Sequence, residues 1–372
     1  MASPRKARPK PKAASKTVDR QPTLKRVGRQ STSRRVATPP SSAAETRPRL
    51  PRSGRARAEL DTADHRIIEL LSHDGRLSNR ALAADIGLTE ATVAARIRTL
   101  ADRQILGITA VLDWQAAGYD WDVWLDVEVE VGRRSLAEVG DALTAVPGVH
   151  SVHAVFGPVD LAVHALLKDR AEAVEFITER ISAVSGVRRA RPNVVLETMK
   201  YTVQYARVPV SPVDLRLPAP RIELDDLDLQ VIKALVRDGR QSNRAVGREL
   251  DVSEGTVRVR LRRLEGAGLL RIVGQSDPYL AGLVNAWALI WVDVEAGTVR
   301  SVSKHIASMP EVTIVSITAG RHDVLVAVAT VSRSRLVELV VEDIRSIAGV
   351  RATETWEVAH TMRHNYQWAR LV

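Results

Sequence analysis

The chain of 372 residues contains no cysteine, which excludes disulfide bonds and thiolate metal sites. No apolar run approaches the roughly 18 residues of a membrane-spanning helix, and the N-terminus lacks the apolar segment of a secretory signal. Aromatic residues make up only 4% of the chain, and residues 1–58 have none. We therefore expect a cytoplasmic protein without membrane contact, whose first segment cannot build a core of its own.

This first segment carries most of the basic charge. Its 17 Lys/Arg oppose only two acids, Asp19 and Glu45, so residues 1–58 have a net charge of +15, whereas the remaining 314 residues carry −5. It is also rich in Pro, Ser, Thr and Ala. Such a composition predicts a disordered basic tail that contacts a polyanion. A solubilising or wrongly assigned leader is the alternative.

One segment of the chain occurs twice. SNRALAADIGLTEATVAARIRTL begins at Ser78, and SNRAVGRELDVSEGTVRVRLRRL begins at Ser242, with ten of the 23 residues identical. The similarity extends over residues 60–200 and 224–364, with a Pro-rich linker within 201–222. Self-similarity over such long segments indicates an internal duplication, so the sequence predicts two tandem units.

The first part of each unit, residues 60–112 and 224–276, has apolar residues at helical spacing. Ser78 is predicted to cap a short second helix and Thr89 a third. Two short helices joined by a tight turn form a helix-turn-helix. A brief strand follows in each unit and would form a small wing, which predicts a winged helix-turn-helix.

The second part of each unit, residues 120–200 and 286–364, changes to the alternation of half-buried strands, as in DVWLDVEVEV. Two helical segments interrupt the strands in the order β-α-β-β-α-β, which is a ferredoxin-like sandwich. The predicted fold class is therefore α+β, with this sandwich after each helix-turn-helix. Trp124, Trp287 and Trp291 fall on the bare sheet face, which predicts a partner sheet.

The third helix of a helix-turn-helix enters the DNA major groove, so its first residues reach base edges while neighbouring groups contact phosphates. Arg suits guanine, Glu suits cytosine and Thr suits a thymine methyl. The base-reading candidates are Glu90, Ala91, Thr92, Ala95 and Arg96, with Glu254, Gly255, Thr256, Arg258, Val259 and Arg260 in the second unit. The phosphate-contact candidates are Ser78, Asn79, Arg80 and Arg98, with Ser242, Asn243, Arg244, Arg262 and Arg263 in the second unit.

The alternative is that these residues form solvated faces of a structural scaffold, but two copies with matching caps, turns and arginines favour double-stranded DNA as the partner. The copies differ in charge, because residues 60–110 carry −1 and residues 224–274 carry +2. Since phosphate neutralisation supplies much of the affinity, we expect the second copy to dominate DNA binding.

A helix-turn-helix followed directly by such a sandwich resembles the Lrp/AsnC (leucine-responsive, feast/famine) family of transcription regulators. The stretches that carry the resemblance are LDTADHRIIELLSHDGR, TVAARIRTLADRQILG and PGVHSVHAVFGPVDLAVH, with TVRVRLRRLEGAGLLR and AGRHDVLVAV in the second unit. The family implies a nucleoid-associated, sequence-specific regulator whose sandwiches pair sheet to sheet. It also implies a small effector, often an amino acid, and no cofactor or metal.

The resemblance places the effector near a Gly-x-x-Asp turn, whose plain structural role would be that of a hairpin turn. The family's last strand often adds two threonines, for which the first unit has Ala190 and Pro192 instead. We therefore expect a ligand to favour the second unit. The implied effector residues are Gly157 and Asp160 in the first unit and Gly320, Asp323, Thr353 and Thr355 in the second.

Family members usually carry one unit per chain and pair, so the resemblance implies an internal pseudo-dimer here and further homo-oligomerisation. Because the two reading helices differ in sequence, we also expect the two DNA half-sites to differ. Half-sites in such dimers lie one or more helical turns apart, which is about 34 Å per turn.

An enzyme is the main alternative, because sirohaem decarboxylases share this build. Their His-Cys-Tyr-type segment is missing, and VHSVHAVFGP and TIVSITAGRH stand in its place. His150 and His153 lie three apart on a predicted strand, so we expect them on opposite faces, and His360 and His364 would align only on a helix. No acid–base dyad, nucleophile triad or phosphate loop is visible, so we expect no enzyme. A protein-interaction module that ignores DNA is the third alternative.

Overall fold

The computed structural model describes residues 60–130, 132, 134–202, 222–276, 281–364 and 367–369. The predicted basic tail and nearly all of the predicted linker lie outside the described residues. Within the described ranges, no helix combines the length and the apolar character needed to cross a membrane.

The first unit is a helix-turn-helix followed by a sandwich. Its elements are α1 (Thr62–His73), α2 (Asn79–Ile86), α3 (Glu90–Asp102), β1 (Leu106–Asp113), β2 (Trp121–Val129), α4 (Leu136–Thr144), β3 (Val149–Phe156), β4 (Leu161–Leu167), α5 (Arg170–Glu175) with a π-helical turn (Phe176–Arg180), and β5 (Val187–Tyr201). This order agrees with the sequence prediction for the unit.

The second unit repeats the same order, which confirms the duplication and the α+β class. Its elements are α6 (Asp226–Arg237), α7 (Asn243–Leu250), α8 (Glu254–Gly266), β6 (Leu270–Ser276), β7 (Ala286–Val294), α9 (Val299–Ala307), β8 (Val312–Ala319), β9 (Val324–Thr330), α10 (Arg333–Glu338) with a π-helical turn (Leu339–Ile344), β10 (Val350–His364) and a short β11 (Trp368–Ala369).

We call each helix-turn-helix, α1–α3 and α6–α8, a reading head. Side-chain caps define where the helices of each reading head begin. Ser78 accepts a hydrogen bond from the third amide of α2, and Thr89 does the same for α3, as predicted. Gly87 ends α2 with a φ of 75°, a left-handed conformation that glycine adopts freely. Asp251 takes the same conformation at the end of α7, with a φ of 54°. Local sequence therefore defines both helix-turn-helices.

The two sandwiches close into one eight-stranded sheet. Each has a four-stranded antiparallel sheet, in the orders β3-β4-β2-β5 and β8-β9-β7-β10. The sheets join at both edges, where β5 pairs with β8 and β10 pairs with β3. Val194 is the crossing point of β5, since it pairs with Val123 in its own unit and with Ala319 in the other. One chain thus forms the predicted pseudo-dimer.

Each sheet has a covered outer face and a shared inner face. Helices α4 and α5 pack on the outer face of the first sheet, and α9 and α10 pack on that of the second. The inner faces meet through Trp124, Trp291 and Trp356, which are at most 3% exposed. The prediction that the tryptophan-bearing face needs a partner sheet is therefore confirmed.

The exchanged strand ends are anchored in the opposite unit. Met199 of β5 lies in the apolar core of the second sandwich, and Met362 of β10 packs directly on Gly140 of α4. Lys200 donates to the carbonyl of Met309 at 2.9 Å, just beyond the end of α9, where a cation is favourable. Burial lowers the pKa of Lys200 to about 8.

The strands predicted as wings pair with each other across the two units. β1 and β6 form an antiparallel ladder from Leu106–Ser276 to Leu112–Leu270. The amides of Gly75 and Gly239, each in an Asp-Gly-Arg turn, donate to the opposite strand at 2.9 Å. Each turn therefore docks on the strand of the other unit, which joins the two heads.

Two arginines lock this junction reciprocally, and we call them the arginine clamp. Arg76 donates to the carbonyls of Gly239 and Gln241 at 3.1 and 3.2 Å and to the Asn243 side chain at 3.2 Å. Arg240 makes the three equivalent bonds, and its acceptors are Gly75, Leu77 and Asn79. Burial lowers the pKa of both guanidinium groups. The clamp holds the heads in a fixed relation.

The docking of the Asp-Gly-Arg turn predicts a steric effect. A methyl group at Gly75 would lie 2.9 Å from the main-chain carbonyl carbon of Val273, so Gly75→Ala should lower the free energy of unfolding by about 1–3 kcal/mol. Gly107→Ala is the control, because nothing lies within 4 Å of a methyl group there. Urea denaturation measures both, and equal effects would contradict the close packing of the turn.

Candidate functional site

The outward faces of the two reading helices differ in charge and size. On α8 the exposed row contains Arg258, Val259 and Arg262, and 66% of the Val259 surface is exposed. The residues at the same points of α3 are Ala94, Ala95 and Arg98. The second helix thus presents two cations and an isopropyl group where the first presents one cation and two methyl groups.

Arg96, predicted to read a base, is turned toward α1 instead. Its guanidinium lies 2.8 Å from both Asp61 and Asp64 at the start of that helix. Arg260 makes the equivalent contacts to two acids at the start of α6, at 2.6 and 2.8 Å. The hydrogen bonds that both guanidinium groups donate to these carboxylates hold the pKa of Arg96 and Arg260 above the usual value. Base reading by Arg96 and Arg260 is therefore corrected to a structural role.

Other predicted phosphate contacts also have internal partners. Arg263 pairs with the fully buried carboxylate of Asp228. Asn79 and Asn243 accept the bonds of the arginine clamp, and their predicted role is corrected to head-to-head docking. The predicted contacts Ser78 and Ser242 also have partners within the protein. Their hydroxyls cap α2 and α7, where each accepts a hydrogen bond from the third amide of its helix.

The remaining candidates lie at or near the surface of the heads. Thr92 and Thr256 are half-buried, and each shares a 2.8 Å hydrogen bond with its helix cap. Gly255 is also half-buried, and Arg258 lies 3.9 Å from Glu254. The exposed candidates are Arg80, Glu90, Ala91, Ala95 and Arg98, with Arg244, Glu254, Arg258, Val259 and Arg262. Their contact with DNA stays a prediction.

The inward position of Arg260 predicts a loss of stability on its removal. Arg260→Ala deprives Asp228, which has no exposed surface, of one of two cationic partners, so the free energy of unfolding should fall by about 1–3 kcal/mol. Arg258→Ala removes the same group from an exposed site and should change it by less than about 0.5 kcal/mol. Calorimetric unfolding separates the two, and a harmless Arg260→Ala would refute the structural role.

The Gly-x-x-Asp turns lie against the opposite unit. A Cβ at Gly157 would lie 2.8 Å from the Trp356 ring, and one at Gly320 would lie 2.5 Å from Asn193 Oδ1. Trp356 and Asn193 are equivalent, being 163 positions apart, as Gly157 and Gly320 are. The duplication thus creates two related positions between the sheets, one filled by an indole ring and one by an amide.

The predicted effector carboxylates hold strand ends. Asp160 accepts from the amide of Val129 at 2.7 Å, and Asp323 accepts from that of Val294 at 2.9 Å. These bonds fix each turn against the end of a neighbouring strand in the same sheet. They account for both aspartates as hairpin residues, and an effector contact stays a prediction for them.

Thr353 and Thr355 face away from the turns, which corrects the expectation that they line the ligand pocket. Alternation along β10 directs Glu354 and Trp356 to the inner face and therefore places the threonines on the outer one. The Thr353 hydroxyl accepts from Arg345 at 2.7 Å, beneath the helix layer. The alternate spacing of the two threonines predicts that they share one face of the sheet, but it does not indicate which face.

A polar group lies on the inner face beside Gly320, and we call Asp126, Asn193, Arg321 and His322 the inner polar cluster. Asn193 donates to Asp126 at 2.8 Å and accepts from the Arg321 amide at 3.0 Å. His322 lies 2.8 Å from Asp293. Burial raises the pKa of Asp126 to about 6. Sequence reasoning missed this cluster, although Asp126 stood as a polar residue on the predicted inner face.

A second inner group corrects the expectation for His150 and His153. A bulge between Val149 and Ser151 turns both rings to the same side, and they lie 5.3 and 5.8 Å from the His364 ring. His364 reaches them from a strand, and burial lowers its pKa to about 3. Among the described residues, no three His, Asp or Glu side chains are arranged to hold a metal ion.

The buried carboxyl of Asp126 predicts a pH dependence of stability. Its folded pKa of about 6 exceeds the usual 3.8, so the native state holds this proton more tightly than the unfolded state. Ionisation therefore costs stability as the pH rises from about 4 to 7, by up to about 3 kcal/mol. Asp126→Asn should remove that loss in urea denaturation, whereas the exposed Asp141→Asn should keep it. Parallel pH profiles for wild type and Asp126→Asn would contradict the burial effect.

Known domain families match most of the described chain. Residues 60–101 and 224–265 each match the AsnC-type helix-turn-helix domain, and residues 124–205 match the Lrp/AsnC ligand binding domain. Residues 284–371 match a different model, a C-terminal dimeric alpha+beta barrel domain. The two heads are therefore of one type, whereas the two sandwiches have diverged.

Curated relatives and a solved structure are similar to the chain. An uncharacterized HTH-type transcriptional regulator of Pyrococcus abyssi is 34% identical over 136 residues, covering 36% of this chain and 85% of that protein. The proline dehydrogenase transcriptional activator of Rhizobium radiobacter is 30% identical over 146 residues, covering 39% and 94%. The sirohaem decarboxylase NirDL, solved with an iron-uroporphyrin III analogue, has a TM-score of 0.57 at 16% identity and covers 82% of this chain and 94% of its own. That likeness shows a shared fold across both units.

Proposed function

The chain belongs to the Lrp/AsnC family of transcription regulators, and we propose that it regulates transcription by binding double-stranded DNA through both of its reading heads. The observation that carries this proposal is the pair of capped, outward-facing helices α3 and α8, held together by the arginine clamp. Fixed heads lose little freedom on binding, so they favour simultaneous contact with two half-sites. The basic tail would add sequence-independent affinity.

The second head dominates in this proposal. Arg258 and Arg262 suit phosphates or guanine edges, and the exposed Val259 suits a thymine methyl. The first head, with its smaller side chains and single Arg98, makes fewer contacts. The operator is therefore two unlike half-sites, of which the one under α8 contributes more binding energy. We place the protein in the cytoplasm, associated with the nucleoid.

The sandwiches supply the regulatory input. We propose a small metabolite, an amino acid or a related compound, as effector, with no further cofactor. The position beside Gly320 supports this role better than the position beside Gly157, because the former has the polar Asn193 amide and the latter has the Trp356 ring. Self-association beyond the internal pseudo-dimer completes the proposal, as the pairing of family members implies.

A tetrapyrrole enzyme is the second candidate, favoured by the fold likeness and by the inner histidines. The inner face is packed by large side chains at most 3% exposed, and these are Trp124, Leu289, Trp291, Leu325 and Trp356. A tetrapyrrole would have to displace several of them. We therefore propose a regulator without enzymatic activity, and an absorbance band that grows on addition of a tetrapyrrole would favour the enzyme.

The unequal heads predict unequal losses of DNA binding. The double variant Arg258→Ala/Arg262→Ala should weaken binding about tenfold or more and lower the salt slope by about 2, since each phosphate contact contributes roughly 1. Arg98→Ala should have a smaller effect. Gel-shift titration at several salt concentrations, on duplexes selected from genomic DNA, measures both quantities.

The control for this experiment is Arg170→Ala/Arg351→Ala, which removes the same charge from exposed sites on the sandwiches. It should leave binding nearly unchanged. If the control and the head variants lost the same DNA affinity, the loss would come from the change in net charge and not from the position of the arginines. Absence of duplex binding by the full chain, even in dilute buffer, would overturn the proposed function.

A further inference from the structure

The two heads meet at a cavity of about 430 Å³, which we call the junction cavity. Four consecutive residues of each unit line it, residues 76–79 and 240–243. Ser78 and Ser242 are exposed, so the cavity is open to solvent. Because the lining consists of equivalent pairs 164 positions apart, the cavity lies on the pseudo-two-fold axis that relates the heads. A duplex that contacts α3 and α8 in equivalent ways has its midpoint on this axis.

The lining carries two positive charges and no carboxylate. The six hydrogen bonds that the guanidinium groups of Arg76 and Arg240 donate all end on carbonyls or side-chain amides. Neither arginine forms an ion pair within the part of the chain that the structure describes. Burial lowers the pKa of Arg76, and the carboxylates of Glu265, Asp74 and Asp238 oppose that shift from farther away without offsetting it. Since a nearby anion stabilises a half-buried cation, the cavity favours an anionic ligand.

Both guanidinium groups of the clamp keep donors for such a ligand. A guanidinium has more N–H groups than the three that each arginine uses in the clamp. Its planar fork matches the oxygens of a phosphate, which accept two parallel N–H bonds. The N-termini of α2 and α7, both at the cavity, add the positive ends of two helix dipoles. Together these groups favour a phosphate over a neutral ligand.

The duplication retains this chemistry although the rest of the heads has diverged. DGRLSNRA in the first unit and DGRQSNRA in the second differ at one position, whereas α3 and α8 are identical at 6 of 13 positions. Clamp packing accounts for Arg76 and Arg240, but not for Arg80 and Arg244. These two are exposed, and they form no ion pair in the described ranges. They follow the lining residues directly on α2 and α7 and add two more cations beside the cavity.

We infer that the junction cavity binds a phosphate group, and that the backbone of a DNA duplex held by both heads supplies it. The inference rests on the proposed function and adds a contact midway between the two half-sites. In a helix-turn-helix, the helix before the reading helix crosses the DNA backbone. Here α2 and α7 take that place, and both begin at the cavity. The arginine clamp therefore joins the heads and also presents two guanidinium groups to the duplex.

Uncharged linkages in the DNA test this contact. Footprinting of a duplex that the full chain binds locates both half-sites, and methylphosphonates then replace the phosphates midway between them. We expect the affinity to fall about tenfold and the salt slope to fall by about 2, since each phosphate contact contributes roughly 1. The same replacement outside the footprint should leave both quantities unchanged. Gel-shift titration at several salt concentrations measures them.

Substitutions of helix caps assign the contact to the cavity. Ser78→Asp/Ser242→Asp adds two negative charges to the lining, and the heads should still fold because Asp also caps helices. This variant should bind the natural duplex about tenfold more weakly, and it should no longer distinguish that duplex from the methylphosphonate one. Ser135→Asp/Ser332→Asp adds the same charge to the caps of α4 and α10 and should bind as wild type. Calorimetric unfolding checks that both variants are folded, and equal DNA affinity of the two would contradict the assignment.

Calorimetric titration of the full chain with sodium phosphate and sodium pyrophosphate, in the absence of DNA, tests a free phosphate as the other source. Suppose that pyrophosphate binds once per chain, that Ser78→Asp/Ser242→Asp abolishes this binding, and that methylphosphonates have no effect. The cavity would then bind a free phosphorylated molecule, and DNA as the source would be overturned. Duplex binding with no effect in either experiment would refute the inference alone. Pyrophosphate binding in the cavity of a chain that ignores duplex DNA would refute the proposed function alone.

Discussion

Exchange of the last strands between the two units is the constraint on which the rest of the structure depends. β5 and β10 each begin in one sheet and end in the other, which removes the open edges that two separate sandwiches would expose. The units cannot part without breaking both ladders and withdrawing Met199 and Met362 from the opposite cores. The two reading heads are joined to each other above this closed sheet by the β1–β6 ladder and the arginine clamp.

Covalent linkage of the units lets the two halves differ. In a pair of identical chains every substitution occurs twice, so an asymmetric operator or a single inner site is not accessible. Here Val259 of α8 corresponds to Ala95 of α3, and Asp126 of β2 corresponds to Trp291 of β7 on the inner face. A buried carboxylate is thereby confined to one position, while its counterpart carries an indole ring.

The sequence predicts what is local and misses what depends on distant partners. Caps such as Ser78, the strand alternation and the repeat all follow from neighbouring residues, and they define the elements well. The direction of Arg96 depends on α1, which helical spacing in α3 does not reveal. A signal was nevertheless present, since Asp61 and Asp64 recur at Asp225 and Asp228 just as Arg96 recurs at Arg260. The bulge that turns His150 inward interrupts the alternation of the strand, and the sequence pattern gives no sign of it.

The inner polar cluster lies beside the seam between the units. Asn193, which holds Asp126, immediately precedes Val194, the residue of β5 that pairs with both sheets. The inner polar cluster therefore touches β5 one residue before the strand crossing, and β5 continues from there into the second sandwich. Coupling between two sites can be carried by a structural element whose arrangement both sites bias. The exchanged strand β5 is such an element, because it runs from the inner face to Tyr201, which packs on Val111 of β1 and Val273 of β6 between the heads.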